Sequence, residues 1–351
     1  MSSEKSSIKE LTQIKVFVGF IAAVVVVMIL HQLQSIFIPL FMALLLYFLF
    51  NGAVKKLLAF KVPKSVVILL ILFLMFIIFY FFGVLIYSSV STFVDKFPEY
   101  SLKMQETLKT IFDKLNIPIS RFNDYIAKFD WTQNIDTSSV TSILSTTFGS
   151  FASFIGNLVL TLLFLMFLLA GRDTLTGRVS SAFEDKRARK IKNVFDSIEE
   201  QVRQYLLIKS FICLLTATLC GIILFIGGFD FVILTALLIF VLHFIPNFGS
   251  IMATAFPVMA GFLKFGFSIR VLLVTIGLMI TQFAIGNILE PKITGKSLNL
   301  SPVVILVALI FWGFIWGIVG MILAVPLTSA LKIFFENVPV LNPLADLISA
   351  D

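Results

Sequence analysis

His243-Phe244-Ile245-Pro246-Asn247-Phe248-Gly249-Ser250 and, further on, Gly286-Asn287-Ile288-Leu289-Glu290-Pro291-Lys292-Ile293-Thr294-Gly295-Lys296 interrupt an otherwise almost wholly apolar stretch from Leu242 to Leu331. The same stretch holds Pro257, the run from Gly261 to Arg270, Ser301-Pro302, and then Gly313, Gly317, Gly320 and Pro326. In hydrocarbon every backbone amide and carbonyl needs a partner. Such breaks therefore survive only where the backbone is buried in protein or lines a wet cavity. Paired interrupted segments point to the substrate or ion site of a secondary transporter. This stretch is read as the working half of the chain.

The composition places that half in a membrane. Hydrophobic residues make up 59% of the 351 and charged residues 13%, and the polar stretches are too short to enclose a soluble enzyme core. The net charge of +7 has no RNA-binding signature beside it and is ordinary for cytoplasmic loops of membrane proteins, so no nucleic-acid partner is expected. Cys213 and Cys220 share one apolar segment at a spacing beyond disulfide reach, and read as small core residues. Two His without neighbouring Cys give no zinc spacing, and no triad or paired carboxylates occur. Gly295-Lys296-Ser297 lacks the glycine that a phosphate loop needs where Glu290 stands. No metal, no cofactor and no enzyme are expected.

Working outward, residues 1–89 are predicted to form an N-terminal three-span bundle. Val16–Leu30 is a retained first span, because no small-residue cleavage site follows it. Ile36–Phe50 and Val66–Ser88 are the second and third, with Lys55, Lys56, Lys61 and Lys64 between them. Residues 90–147 are a small helical extracytoplasmic insertion with six Lys/Arg and seven Asp/Glu. Residues 148–209 hold a fourth span, Phe148–Ala170, and the basic segment Arg172–Lys209. In that segment Ile191, Val194, Phe195, Ile198 and Val202 form one apolar face. It reads as an amphipathic helix lying on anionic headgroups of the lipid bilayer, or else docking a nucleotide or partner. Residues 210–335 are the transport core, opening with a fifth span at Ser210–Ile226, and 336–351 are a short tail.

Loop charges orient the chain. The two Lys-rich segments go to the cytoplasm and the charge-balanced insertion goes outside, with N- and C-termini cytoplasmic. Phe231–Leu263 and Ser301–Leu331 are each too long for one straight span, since a crossing takes about 20 residues. Each is either a long tilted span or two arms folded into a hairpin, and the hairpin is preferred. The expected fold is an all-α polytopic membrane protein of about eight transmembrane segments, with broken or re-entrant helices in the C-terminal half.

The chain resembles the autoinducer-2 exporter (AI-2E) family of bacterial inner-membrane proteins. The marks are Asn287, Glu290-Pro291, Gly295-Lys296 and Ser301-Pro302, then Gly317, Gly320 and Ala324-Val325-Pro326-Leu327. Pro246-Asn247-Phe248-Gly249 with Pro257, and Phe97-Pro98-Glu99-Tyr100, match as well, so the likeness runs from about residue 10 to 335. It implies about eight spans, a homo-oligomer with pentamers among the assemblies, and a transporter more firmly than any cargo. Some members are implicated in export of the quorum-sensing signal autoinducer-2, others in sodium(lithium)/proton antiport, and many have no known substrate.

Each candidate residue has a structural alternative. Glu290 is the only carboxylate between Asp230 and Glu336, and intramembrane carboxylates carry protons or cations. Its alternative is an ion pair with Lys292 at headgroup level. Asp230 is expected to cap a helix, and His243 to pack as a satisfied core residue or to titrate. Pro246, Asn247, Gly249, Gly286 and Asn287 offer freed carbonyls and amides for a small solute or monovalent cation, or else only kink the chain. Gly313, Gly317, Gly320 and Pro326 form a packing seam or a gate. The favoured reading is a secondary transporter exporting a small hydrophilic solute. Sodium/proton antiport comes second and a non-transporting membrane scaffold third.

Overall fold

The computed structural model describes residues 17–19, 21–22, 24–114, 155–171, 181–182, 185–246, 248–294, 299–338 and 341–350. These residues are almost entirely helical, and the chain is an all-α polytopic membrane protein. Among the described residues five helices are long and apolar enough to cross a membrane, beside shorter apolar ones. The described helices, in chain order, are α1 (Phe17–Gln32), α2 (Gln34–Ala59), α3 (Lys64–Lys114), α4 (Ile155–Gly171), α5 (Asp185–Ile226), α6 (Val232–Leu242), α7 (Phe248–Phe265), α8 (Ile269–Phe283), α9 (Glu290–Thr294), α10 (Pro302–Asn337) and α11 (Asn342–Ile348). Leucine-, isoleucine- and phenylalanine-rich surfaces face outward along most of them, as lipid requires.

Two helices run further than the sequence pattern implies. α3 is 51 residues long and passes residue 90 without a break, so the third span continues as a rod to Lys114. The rest of the expected insertion lies outside the described residues. α5 is one helix of 42 residues. Residues 185–209 of the basic segment are the first part of this helix, continuous with the fifth span rather than a separate helix. No proline interrupts it, and Glu199 clasps it to the end of α2 by accepting from Asn51 Nδ2 and from Lys55 Nζ, the latter at 3.0 Å.

Both ambiguous segments are hairpins. α6 and α7 fold back at residues 243–247. At the tip, a Cβ added to Gly249 would lie 1.9 Å from the Leu242 carbonyl oxygen. At the mouth, Lys264 reaches Asp230 at 2.9 Å and the Gly228 carbonyl at 2.9 Å. The second hairpin is α10 itself, bent back at Trp316 and Gly317, where Gly317 has φ 62° and ψ −142°, a conformation only glycine adopts readily. A Cβ on Gly320 would lie 1.9 Å from the Trp312 carbonyl oxygen, and one on Gly313 would lie 2.9 Å from Met321. The mouth of this hairpin is closed by Lys332, which donates to the Asn299 carbonyl at 2.8 Å.

The two hairpins enter from opposite faces. Asp230 marks the mouth of the first, just past the end of α5, and the Lys332–Asn299 bond marks the mouth of the second, where the adjoining Leu300 packs with Tyr205 and Leu206 far back along α5. Their deep parts share one apolar cluster, in which Ile245 meets Leu309, Trp312, Trp316 and Leu323. The second tip is anchored on the junction of α1 and α2. His31 Nδ1 donates to the Ile315 carbonyl at 3.0 Å, and Trp316 Nε1 donates to the Leu30 carbonyl at 3.0 Å. These bonds occupy carbonyls that a turn and a helix end would otherwise leave bare in an apolar setting.

Candidate functional site

Glu290 comes directly after a π-helical turn, Ala284–Leu289, that widens the end of α8. A π turn holds one more residue than an α turn and so re-aims the side chains beyond it. The carboxylate is aimed at α5, where Oε1 accepts from Lys209 Nζ in a close ion pair. Its other oxygen lies 3.9 Å from His243 Nε2, at the first hairpin's tip. Lys209 and His243 are almost fully enclosed, with 3% and 5% of their side-chain surface accessible, and Glu290 retains 25%. Tyr205 and Cys213, one turn to either side of Lys209, share its face of α5 and are buried.

Three elements thus converge on one carboxylate. Lys209 lies 17 residues before the end of α5, about 25 Å along the helix, and is 3% accessible. A lysine so enclosed is tolerated only against a counter-charge. Among the described residues the imidazole of His243 finds no hydrogen-bond partner for either nitrogen. The expected satisfied core histidine is therefore instead a buried imidazole with donor and acceptor both unspent. Thr235, Gln282 and Ser329 also carry buried polar atoms without a partner. Thr235 and Gln282 each stand two turns outward, on the helices that bring His243 and Glu290 to the site. The group is neutral overall. It can offer hydrogen bonds to a small polar solute, or exchange its ammonium for a proton or cation on the carboxylate.

Other expected site residues fall elsewhere. Glu290 takes Lys209 as its partner in place of Lys292. Asn287 is exposed on the helix surface and donates only to the Phe283 carbonyl at 3.4 Å, and Gly286 has open space beside it. Asn247 lies outside the described residues. Pro246 and Gly249 build the first tip, and Gly313, Gly317 and Gly320 build the second, with Pro326 buried in the returning arm. Gly317 forms the turn of the hairpin, and Gly313 and Gly320 line the seam along which its two arms pack. Lys209 is the partner of Glu290 that sequence reasoning missed. Its signal was available, since Tyr205-Leu206-Leu207-Ile208 and Phe211-Ile212 flank a lone lysine with apolar residues.

Asp230 does not cap α6, whose N-cap is Phe231 without a side-chain bond. It is a junction. Tyr100 Oη donates to it at 2.5 Å, Lys264 approaches at 2.9 Å and Lys96 at 3.2 Å, so it joins the rod of α3 to the mouth of the first hairpin. Burial raises the Asp230 carboxyl, but the bonds from Tyr100, Lys264 and Lys96 together outweigh it and hold the group below the usual carboxylate range. A depressed pKa adds stability above the unfolded value, about 3.9, and loses it as pH falls through the folded value. Asp230→Asn should lower the melting point of the detergent-solubilised protein at pH 7 by the equivalent of about 1 kcal/mol. The gap should narrow below about pH 4. An equal gap at pH 7 and pH 3.5 would count against the charged junction.

Opposed re-entrant hairpins around a buried ion pair, inside a polytopic helical chain, are the architecture of a membrane transporter. Residues 19–339 match the AI-2E family transporter profile, and the chain belongs to that family. It is 33% identical over 315 residues to a Borreliella burgdorferi protein named "Putative transport protein", covering 87% of this chain and 82% of that one. A Haemophilus influenzae protein of the same name is 31% identical over 327 residues, covering 91% and 92%. The AI-2 transport protein TqsA of Escherichia coli K12 is 28% identical over 320 residues, with 90% of each chain covered.

Proposed function

We propose that this protein is a secondary transporter of the bacterial inner membrane that exports a small hydrophilic solute of the autoinducer-2 type, with Lys209, Glu290 and His243 at its substrate site. The observation that carries the reading is the pair of buried Lys209 with half-buried Glu290, beside an imidazole that makes no hydrogen bond among the described residues. Desolvating three ionisable groups inside an apolar bundle opposes folding, and such groups within membranes mark substrate or ion pathways. The likeness to TqsA supports the solute class. The loop charges support cytoplasmic termini, with the mouth of the second hairpin on the cytoplasmic side. Assembly as a homo-oligomer, a pentamer included, belongs to the same proposal.

Sodium(lithium)/proton exchange is the second reading. It is favoured by the chemistry of the pair, because a carboxylate held by an ammonium can exchange that partner for an alkali cation or a proton. Purified protein in liposomes separates the two. Under the first reading, labelled autoinducer-2 exchanges across the membrane only when the protein is present. If the solute stays put while Na⁺ or Li⁺ pulses release protons, the exporter reading fails and exchange replaces it.

A further inference from the structure

The segment after α10 turns back onto the mouth of the second hairpin. α11 carries it there, and Leu300 and Ser349 form an isolated antiparallel bridge. Ser301 N–H donates to the Ile348 carbonyl at 3.1 Å, and Ala350 N–H donates to the Asn299 carbonyl at 3.2 Å. The Asn299 oxygen also accepts from Lys332 Nζ at 2.8 Å, so the added segment and the returning arm meet on one atom. Alongside, Ile348 packs with Val202, Tyr205, Leu206, Leu300 and Val325. Tyr205 lies one turn from Lys209 on the same face of α5. The segment thus covers the face of α5 one turn before the ion pair.

Its attachment is slight beside the apolar cluster that joins the two hairpins. It consists of one bridge rather than a ladder, with Ala345 the one buried side chain of the segment, Ile348 at the edge of a cluster, and Leu344 and Leu347 exposed. Elements held by few buried contacts open at the low end of a protein's stability range, where lids and gates are drawn from.

We propose that residues 341–350 are a gate over the cytoplasmic entrance to the Lys209–Glu290 site. Docked, they seal it; released, they admit solute. The proposal rests on the reading of that pair as the transport site.

Two experiments on the full chain test it. The flanking bonds make Leu300 and Ser349 a non-hydrogen-bonded antiparallel pair, whose Cα atoms lie about 4.5 Å apart, within disulfide range. In a Cys213→Ser, Cys220→Ser background, Leu300→Cys with Ser349→Cys should crosslink on oxidation. Transport of autoinducer-2, or Na⁺-driven proton release if that is the parental activity, should then fall at least about tenfold and return with reductant. Full crosslinking with unchanged transport overturns the gate.

The second experiment reads access without transport. Cys213 lies one turn beyond Lys209 and is fully buried, so in a Cys220→Ser chain it reports entry to the site. In inside-out vesicles an impermeant methanethiosulfonate should label Cys213 at least about fivefold faster once residues 338–351 are deleted. Should that chain fail to reach the membrane, Ala350→Pro removes only the donor to Asn299 and should raise the rate in the same direction. Labelling at the parental rate overturns the gate. Faster labelling, combined with parental transport in Glu290→Gln, upholds the gate over this face of α5 and removes the ion pair from the mechanism.

Discussion

Combining Glu290→Gln with Lys209→Met is expected to restore the amount of folded protein that either change alone removes, while transport stays at or below about one hundredth of the parental rate. Removing one partner of a buried pair leaves the other charge without compensation and costs about 3–5 kcal/mol, whereas replacing both by neutral groups of similar shape is close to neutral. Stability and transport therefore separate in the double variant. Amount is read by fluorescence-detected size exclusion, and transport in liposomes at pH 6 to 8. Glu290→Asp keeps the charge on a shorter stem and should retain part of the activity with an altered pH profile. A double variant that transports like the parent takes the pair out of the mechanism.

Gly249→Ala and Gly320→Ala should each disrupt a hairpin tip. In both, a methyl group would stand 1.9 Å from a main-chain carbonyl oxygen, that of Leu242 in one and Trp312 in the other. Backbone cannot yield as a flexible side chain does, so each change should cost about 3 kcal/mol or more. Gly286→Ala is the control. It lies close to the site but has open space where the methyl would go, so its effect should fall within about 0.5 kcal/mol. Melting curves of the three purified variants decide the matter. Equal behaviour of Gly249→Ala and Gly286→Ala would mean that the first tip is not closed as described.

The hairpins were legible because their breaks are chemical. Pro246, Gly249, Gly317 and Gly320 interrupt runs whose length fits neither one span nor two. The ion pair was half legible. Glu290 stands out as a lone carboxylate, but counting α-helical rise from Arg270 places it at headgroup level beside Lys292. The lysine that meets it belongs to a helix 81 positions earlier in sequence. Two features hide that partner. Lys209 ends a segment whose average composition is polar, so it counts with a loop. Nothing local shows that α5 runs unbroken from that segment into the bundle. The role of Asp230 is invisible for the same reason, because Lys96 and Tyr100 arrive from a rod whose length no periodicity announces.

The short arms have a consequence for how the chain is made. α6 has 11 residues, about 16 Å, against a hydrocarbon thickness of about 30 Å. Such an arm is too short to be taken up by the insertion machinery as a crossing segment of its own. The first hairpin can enter the bilayer only as a joined pair, after α7 has emerged and with α5 already in place to receive it. The second must wait for residues beyond Lys332 before its mouth can close. A ribosome stalled between Phe231 and Phe265 therefore leaves an apolar arm with no stable position in the membrane, a ready substrate for membrane quality-control proteases.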